Sequence, residues 1–313
     1  MIIKHNIDIS NICWLAGTYG EEKCFADNFY IPETLKEFED ICKELYEAHE
    51  EFDVIGHTSN VYFKPGYHTN NLVSTRKLKR WEEKEDHIWC ECGVNVKALA
   101  KEMVENGIEG FAGLIDLPGT VGAGIYGNAG CFGDKFSKIV LSTMVLKSDG
   151  SIIELSRDEM GFQKRSSVFK RRIISGVIIS AKLRRKIGDK KKIEELAKRY
   201  HNLRQSSQPS PNNNLGSIFK YRKNLTLKGI IVKGLSAFIA KLTSSNASPT
   251  SLSKKKTTIA CRLLNKGEIS EFLPYGFNRY IWSSYSAHEH FDSYISMYKE
   301  IFKNAELEIE IKQ

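Results

Sequence analysis

The sequence predicts an α+β protein of two domains. Segments with strand-like alternation and segments with helical periodicity are mixed along its 313 residues, which is the length of two ordinary domains. The hydrophobic content of 41% is enough for two cores. A third observation is a glycine-rich run over residues 118–133, which points to a specialised loop inside the first domain.

The elements follow from local patterns. Residues 33–48 place Leu35, Phe38, Ile41 and Leu45 at helical spacing. Further helices are predicted at 95–106, 193–204 and 291–303. Strands are predicted at 52–56, 61–64, 88–92, 140–147, 151–155, 173–183 and 307–311. Asp149-Gly150 predicts a hairpin between two of these strands. The polar stretches 206–215 and 243–257 are predicted to be loops, the first at a domain boundary and the second mobile.

The run 118–133 contains six glycines, at positions 119, 122, 124, 127, 130 and 133. Because glycine weakens helices and strands, such a density indicates close backbone approach or repeated positive φ, typically around a phosphate-bearing cofactor. Val121 and Ile125 argue against a flexible linker. A Rossmann fingerprint is the weaker interpretation, because Asp116-Leu117-Pro118 precedes the run where a strand is required.

Five segments in order resemble the UDP-N-acetylenolpyruvoylglucosamine reductase family, the MurB type. They comprise the glycine-rich run and four others, at 56–60 (Gly-His-Thr-Ser-Asn), 165–170 (Arg-Ser-Ser-Val-Phe-Lys), 204–220 (through Leu-Gly-Ser-Ile-Phe-Lys) and 307–312 (Leu-Glu-Ile-Glu-Ile-Lys). The resemblance implies an FAD-binding fold of the vanillyl-alcohol-oxidase/MurB type. It implies an FAD-binding domain at 1–205, with subdomains of about 1–65 and 66–205. A smaller α+β substrate domain follows at 206–313, whose terminal strand returns to the active site.

The resemblance also implies a reaction and the residues that carry it. Hydride passes from NADPH through FAD to the enolpyruvyl group of a UDP-sugar, giving UDP-N-acetylmuramate for peptidoglycan synthesis. The implied FAD-binding residues are Gly56, His57, Thr58, Ser59, Asn60, Pro118, Gly119, Thr120, Gly122, Ala123, Asn128, Gly130 and Gly133. Ser217 matches the proton donor, Arg165 the residue that steadies the enolate, and Glu310 the carboxylate that polarises the substrate carboxyl. Arg204 and Lys220 match substrate-binding positions.

Several positions depart from the family pattern. His57 and Thr58 stand where the family has glycines, and Lys164 replaces a tyrosine before Arg165. Residues 225–290 keep only a faint trace of the family's substrate region, at 276–282. Two other classes therefore stay open. One is a paralogous flavoenzyme for another sugar nucleotide or glycan precursor, and the other is a flavin-binding protein or nucleic-acid binder without this turnover.

The charge and the cysteine content limit the classes of partner and the compartment that we expect. The formal net charge of +8 suits the anionic FAD, NADPH and UDP-sugar. The basic segment 182–193 lies in a stretch, 182–199, that contains no aromatic residue, so nucleic-acid binding is not expected. The apolar run 229–242 contains Lys233 and Lys241, and neither a membrane span nor insertion is expected. Seven cysteines without metal-type spacing, and no signal-peptide pattern, predict reduced thiols in a cytoplasmic protein.

Overall fold

The computed structural model describes residues 1–208, 213–220, 224–243 and 248–313. The strands are β1 Ile2–Asp8, β2 Phe25–Ile31, β3 Asp53–Ile55, β4 Val61–Phe63, β5 His68–Ser74, β6 Trp81–Glu83, β7 His87–Glu91, β8 Gly130–Cys131, β9 Asp134–Lys135, β10 Val140–Leu146, β11 Ile152–Ser156, β12 Val177–Arg184 and β13 Glu310–Lys312. The α-helices are α1 Leu35–Glu47, α2 Val96–Glu105, α3 Val121–Tyr126, α4 Phe136–Ile139, α5 Lys190–Ser207, α6 Leu227–Leu242, α7 Pro249–Leu263, α8 Ser286–Glu289 and α9 Phe291–Ile301.

The chain divides into two compact units. The first comprises residues 1–7, 25–58 and 68–207, and the second comprises 8–24, 59–67 and 208–313. The sequence placed a single boundary between residues 205 and 206. The structure differs from that division because two earlier segments, 8–24 and 59–67, pack with the C-terminal part of the chain. Such an exchange depends on long-range contacts that local patterns do not encode.

Two sheets organise the first unit. One has four strands in the order β1-β2-β5-β3, with β2 and β3 both parallel to β5. The other is a five-stranded antiparallel sheet in the order β11-β10-β12-β7-β6. The first sheet extends to residue 74, beyond the subdomain limit expected near residue 65. One hydrophobic core includes residues of α1, α2, α3 and the second sheet.

The second unit contains the two-stranded parallel sheet β4–β13, in which Glu310 lies opposite Val61. Helix α6 packs on α7 and α9. Its core is rich in aromatic rings, with Trp282 and Tyr280 fully buried. No helix in the described part of the chain combines the length and apolar character needed to cross a bilayer.

His288 lies within this aromatic core. Thr18 Oγ1 donates to the carbonyl of Leu15 over 2.8 Å, so at 2.9 Å from His288 Nε2 it accepts the ring proton. His288 Nδ1 then accepts from the Tyr62 hydroxyl over 3.2 Å. Burial lowers the pKa of His288 to about 4, so the imidazole is neutral in a core of hydroxyls and rings.

Most local predictions are confirmed. The helices expected at 33–48, 95–106, 193–204 and 291–303 are α1, α2, α5 and α9. The hairpin at Asp149-Gly150 joins β10 to β11, and Gly150 takes a φ of 78°. The basic segment 182–193 begins in β12, crosses the connection 185–189 and ends in α5.

Two local predictions are wrong. The loop expected at 243–257 is helical from Pro249 onward, because Ser248 accepts a hydrogen bond from Ser251 N as an N-cap and proline suits the first helical position. Residues 244–247 of that loop, like Pro209, lie outside the described residues. The glycine-rich run was expected to avoid helix, yet it contains α3.

Candidate cofactor and active site

Residues 56–58 follow β3 and are the last residues of the range 25–58 in the first unit. Arg76 Nε donates to the carbonyl of Gly56 over 2.9 Å, which ties this turn to the chain after β5. Thr58 has a φ of 57°, in the left-handed region that favours glycine. Its hydroxyl donates to the His57 carbonyl over 2.7 Å, and the residue is buried. Thr58 therefore keeps a glycine-like backbone, with its side chain bonded to its own turn.

His57 lies in an electropositive environment. Burial lowers the pKa of His57, and the nearby charges of Arg76 and Lys79 lower that pKa further. His57 Nδ1 lies 3.4 Å from Asn95 Nδ2. Asn95 also caps α2, accepting from Ala98 N over 3.0 Å. The ring is consequently neutral at pH 7, and the local positive charge comes from Arg76 and Lys79.

Gly56 packs directly against Thr120. A Cβ at position 56 would lie 2.5 Å from Thr120 Oγ1, closer than real Cβ contacts. Thr120 is buried and caps α3, since Oγ1 accepts from Ala123 N over 3.4 Å. Gly119 before it has a φ of 118°, which a residue with a side chain rarely adopts. The loop after β3 and the start of the glycine-rich run are thus held together.

The glycines inside α3 serve protein packing. A Cβ at Gly122 would lie 2.9 Å from Cys92 Cβ, and one at Gly124 would lie 2.2 Å from the Phe136 ring. Gly122 N donates to the Cys92 carbonyl over 2.7 Å. These glycines let a short helix pack against β7 and α4, which explains why the run can be helical.

The N–H groups at the start of α3 are also engaged within the protein. Val121 N donates to the Val94 carbonyl over 2.9 Å, and Gly124 N donates to the Thr120 carbonyl over 2.8 Å. The N–H groups of Val121 and Gly122 are therefore satisfied within the protein, and a phosphate contact elsewhere in the run stays a prediction.

Arg165 binds the end of the glycine-rich run. Its guanidinium donates to the carbonyl of Gly130 over 2.6 Å and to that of Asn128 over 3.4 Å. Asn128 is itself buried, accepting from Ser137 N over 3.0 Å and donating to the Gln163 carbonyl over 2.7 Å. Arg165 is half-buried, so it is not a solvated charge of the basic stretch around it.

The remaining predicted residues of the first unit lie in the glycine-rich run or on α5. Pro118 is half-buried, Ala123 is exposed and Gly133 has a φ of 94°. Arg204 lies one helical turn after Tyr200, whose ring stacks on Phe132 with centroids 4.9 Å apart. This stacking connects α5 to the glycine-rich run.

In the second unit, Ser217 lies in a segment fixed by Asn278. Phe219 N donates to Asn278 Oδ1 over 2.8 Å, and Asn278 Nδ2 donates back to the Phe219 carbonyl over 2.8 Å. Gly216 precedes Ser217 with a φ of 78°, and a Cβ there would lie 3.6 Å from Arg279 Nη1. Ser217 is half-buried beside this turn.

The C-terminal segment pairs with the Ser217 segment. Glu308 N donates to the Ile218 carbonyl over 2.7 Å. Asn60 Nδ2 donates to the Glu308 carbonyl over 3.1 Å, and Glu310 N donates to the Asn60 carbonyl over 3.0 Å. The structure therefore joins the segments that carry Asn60, Ser217 and Glu310.

Lys220 and Ser59 are the other two predicted residues of this unit. Lys220 Nζ pairs with Glu306 Oε2 at 3.1 Å, and Lys220 N donates to the Glu306 carbonyl. Ser59 is half-buried at the start of the 59–67 segment.

Sequence reasoning missed Arg76, Asn95, Asn278 and Arg279. Asn95 had a detectable signal, because it stands at the N-cap of a predicted helix. Asn278 and Arg279 lie in the stretch 276–282, where only a faint family trace was visible. No local pattern distinguishes Arg76, whose contact with Gly56 spans 20 residues.

Comparison with known proteins gives a consistent assignment. A family model described as an FAD binding domain matches residues 26–156. UDP-N-acetylenolpyruvoylglucosamine reductase of Lactococcus lactis subsp. cremoris (strain MG1363) is 27% identical over 220 residues, covering 70% of this chain and 71% of the relative. The enzyme of that name from Carboxydothermus hydrogenoformans is 30% identical over 196 residues, covering 62% and 64%. The match to the Caldicellulosiruptor saccharolyticus relative spans 61% of that protein, which is less than two thirds of its length.

A solved structure extends the likeness of fold to the whole chain. The crystal structure of UDP-N-acetylenolpyruvylglucosamine reductase (MurB) from Thermus caldophilus matches with a TM-score of 0.71 and 18% identity, covering 100% of both chains. The fold and the domain match define an FAD-binding protein of α+β architecture. Within that class the chain is similar to the reductases of the MurB type.

Proposed function

We propose that this chain reduces the enolpyruvyl group of UDP-N-acetylglucosamine enolpyruvate with hydride from NADPH, through bound FAD. The product would be UDP-N-acetylmuramate, a peptidoglycan precursor. The observation that carries the proposal is the sequence match to relatives named for this reductase activity, at 27% to 30% identity. The UDP-sugar and the nicotinamide are its proposed small-molecule partners.

The residues around Gly56 fit FAD. The pyrophosphate of FAD is anionic, and Arg76 and Lys79 supply positive potential at His57 without adding a charged imidazole. Thr58 keeps the left-handed backbone that glycine would adopt, and its hydroxyl is bonded within the loop. The departures at His57 and Thr58 are therefore compatible with a pyrophosphate beside Gly56–Asn60.

Bound flavin supplies two-electron chemistry, because it accepts hydride from a nicotinamide and passes it to a carbon–carbon double bond. Hydride addition to one carbon leaves negative charge on its neighbour, which then needs a proton. We propose Ser217 as the donor of that proton. The paired contacts of Asn278 with Phe219 would hold the serine in one position.

Arg165 and Glu310 have supporting roles in this proposal. Arg165 would steady the enolate with its permanent planar charge, while its bonds to Gly130 and Asn128 orient the guanidinium. Glu310 would contact the substrate carboxyl. The hydrogen bond from Glu310 N to the Asn60 carbonyl would hold the Glu310 backbone in place. Arg204 and Lys220 are proposed to bind substrate, as their positions in the family pattern imply.

The proposed compartment is the cytoplasm. The described residues include all seven cysteines; none of these forms a disulfide, and six are buried. Burial raises the pKa of Cys42 to about 12 and that of Cys24 to about 11, so neither is a reactive thiolate. Structural thiols of this kind suit a reducing environment.

The test is a visible spectrum recorded in three steps on the purified protein. We expect a yellow protein that bleaches when NADPH is added without oxygen and regains its colour when enolpyruvyl-UDP-N-acetylglucosamine follows. Bleaching without recovery would refute this substrate and support the paralogous flavoenzyme. A colourless protein that takes up no added FAD would refute both enzyme proposals.

A further inference from the structure

Helix α6 has apolar residues on both of its faces. Gly229, Val232, Ser236 and Ala240 are buried, and a Cβ at Gly229 would lie 2.1 Å from the Ile301 carbonyl. The opposite face is solvent-exposed and carries large apolar side chains at helical spacing. They are Leu227, Ile230, Ile231, Leu235, Phe238 and Leu242.

The exposure of this face is high. Leu227 is 79% exposed, Leu242 70%, Ile231 67% and Phe238 62%. Single exposed apolar residues are ordinary on protein surfaces, but a continuous stripe along one helix marks an interaction surface. We call residues 227, 230, 231, 235, 238 and 242 the α6 stripe.

The sequence segment that contains the stripe carries charge of one sign. Residues 224–267 contain eight basic residues and no acidic one, a formal charge of +8 that equals the net charge of the whole chain. The eight are Lys228, Lys233, Lys241, Lys254, Lys255, Lys256, Arg262 and Lys266. Lys228 pairs with Glu300 on α9, while Lys241, Lys254 and Arg262 are exposed on α6 and the neighbouring α7.

A second copy of this chain is a poor occupant of the stripe. Each copy would present the same basic segment, because residues 224–267 carry a formal charge of +8. Two copies would therefore bring like-charged surfaces together.

An anionic bilayer surface matches both properties. An apolar helix face buries itself among headgroups and upper acyl chains, and neighbouring lysines are attracted by anionic lipids. We propose that the α6 stripe docks the protein on an anionic phospholipid surface, with α6 lying in the plane of the interface. This surface binding involves no span, although it goes beyond the sequence-based expectation of no insertion. It is independent of the proposed reductase activity.

The test is vesicle flotation of the full-length protein. The probes are vesicles of phosphatidylcholine alone and vesicles in which phosphatidylglycerol replaces a third of it. We expect binding to the anionic vesicles, weaker binding in high salt, and little binding to phosphatidylcholine. The variant Ile231→Glu/Phe238→Glu should bind anionic vesicles roughly tenfold or more weakly, since it removes two large apolar contacts and adds repulsion.

A matched control is Ile187→Glu, at a residue 63% exposed in the first unit. It should bind vesicles as the unaltered protein does, and both variants should keep the thermal melting temperature because these side chains are exposed. Absence of binding to anionic vesicles would overturn the proposal. Equal losses in both variants, or a concentration-dependent dimer that only the α6 variant abolishes, would overturn it too. The protein could also bind a labelled oligonucleotide as tightly as it binds anionic vesicles. If the α6 variant keeps that oligonucleotide binding, the binding depends on charge alone and the proposal is overturned.

Discussion

Gly56 and Thr120 are packed so closely that a Cβ on residue 56 would lie 2.5 Å from the Thr120 hydroxyl oxygen. This pair joins the loop after β3 to the cap of α3, two segments 64 residues apart in sequence. Both segments carry residues proposed to bind FAD. Their contact therefore gives a direct way to perturb the proposed cofactor site from within the protein.

The change Gly56→Ala should destabilise the protein by about 1–3 kcal/mol, since Thr120 is buried and has little room to move. It should also weaken FAD binding. Urea unfolding and FAD titration measure the two effects. Gly127→Ala is the matched control, because its Cβ would meet only the Ala123 carbonyl at an ordinary 3.6 Å. Equal effects of both changes would contradict the packing argument.

Thr120→Ala should cost about 1 kcal/mol through loss of the α3 cap. Thr120→Ser keeps the hydroxyl that accepts from Ala123 N and should retain most of the stability. The free energy of unfolding of the two variants separates capping from the lost methyl group. A serine variant as unstable as the alanine variant would show that the methyl contact matters more.

Arg165→Ala should destabilise the apoprotein by about 1–3 kcal/mol, because the carbonyl of the buried Gly130 loses a charged donor. Arg165→Lys should recover part of that stability but not the planar fork. Unfolding is measured without FAD and turnover with it. If the lysine variant is stable but inactive, the arginine has a role beyond holding Gly130. An apoprotein unaffected by Arg165→Ala would refute the structural part of the prediction.

Ser217→Ala should leave flavin reduction by NADPH nearly intact and slow flavin reoxidation by the enolpyruvyl substrate severely. The reason is that a proton is required only in the second half-reaction. Stopped-flow absorbance under anaerobic conditions follows each half separately. Equal slowing of both halves would mean that Ser217 only shapes the site.

Stability should fall as the pH drops from about 6.5 to about 4, because His288 has a pKa near 4 in the folded protein. The unfolded chain binds a proton at higher pH than the folded one, so the contribution of His288 is present above 6.5 and is lost as pH falls. Its full size is on the order of 3 kcal/mol. Urea unfolding between pH 4 and pH 7 measures it. His288→Gln should flatten this dependence, whereas substitution of the exposed His5 by Gln should leave it unchanged.

Local sequence patterns were sufficient to predict the elements that have a clear hydrophobic period or a turn motif. The amphipathic spacing of Leu35, Phe38 and Ile41 determines α1, and Asp149-Gly150 determines the β10–β11 hairpin. The segment resemblance predicted the family and the candidate site residues, because the matching motifs are contiguous in the sequence. The helix α7 was missed although Ser248-Pro249 is an N-cap signal, since its polar composition suggested a loop.

Only the tertiary structure shows which residues pack against the glycines of the run and which distant segments contact each other. Gly122 and Gly124 are glycine because Cys92 and Phe136 lie against α3, contacts formed across 30 and 12 residues. Segments 8–24 and 59–67 join the second unit for the same kind of reason. A sequence encodes each residue's local preference and chemistry, but close approach between distant segments is settled by the packing of the whole chain.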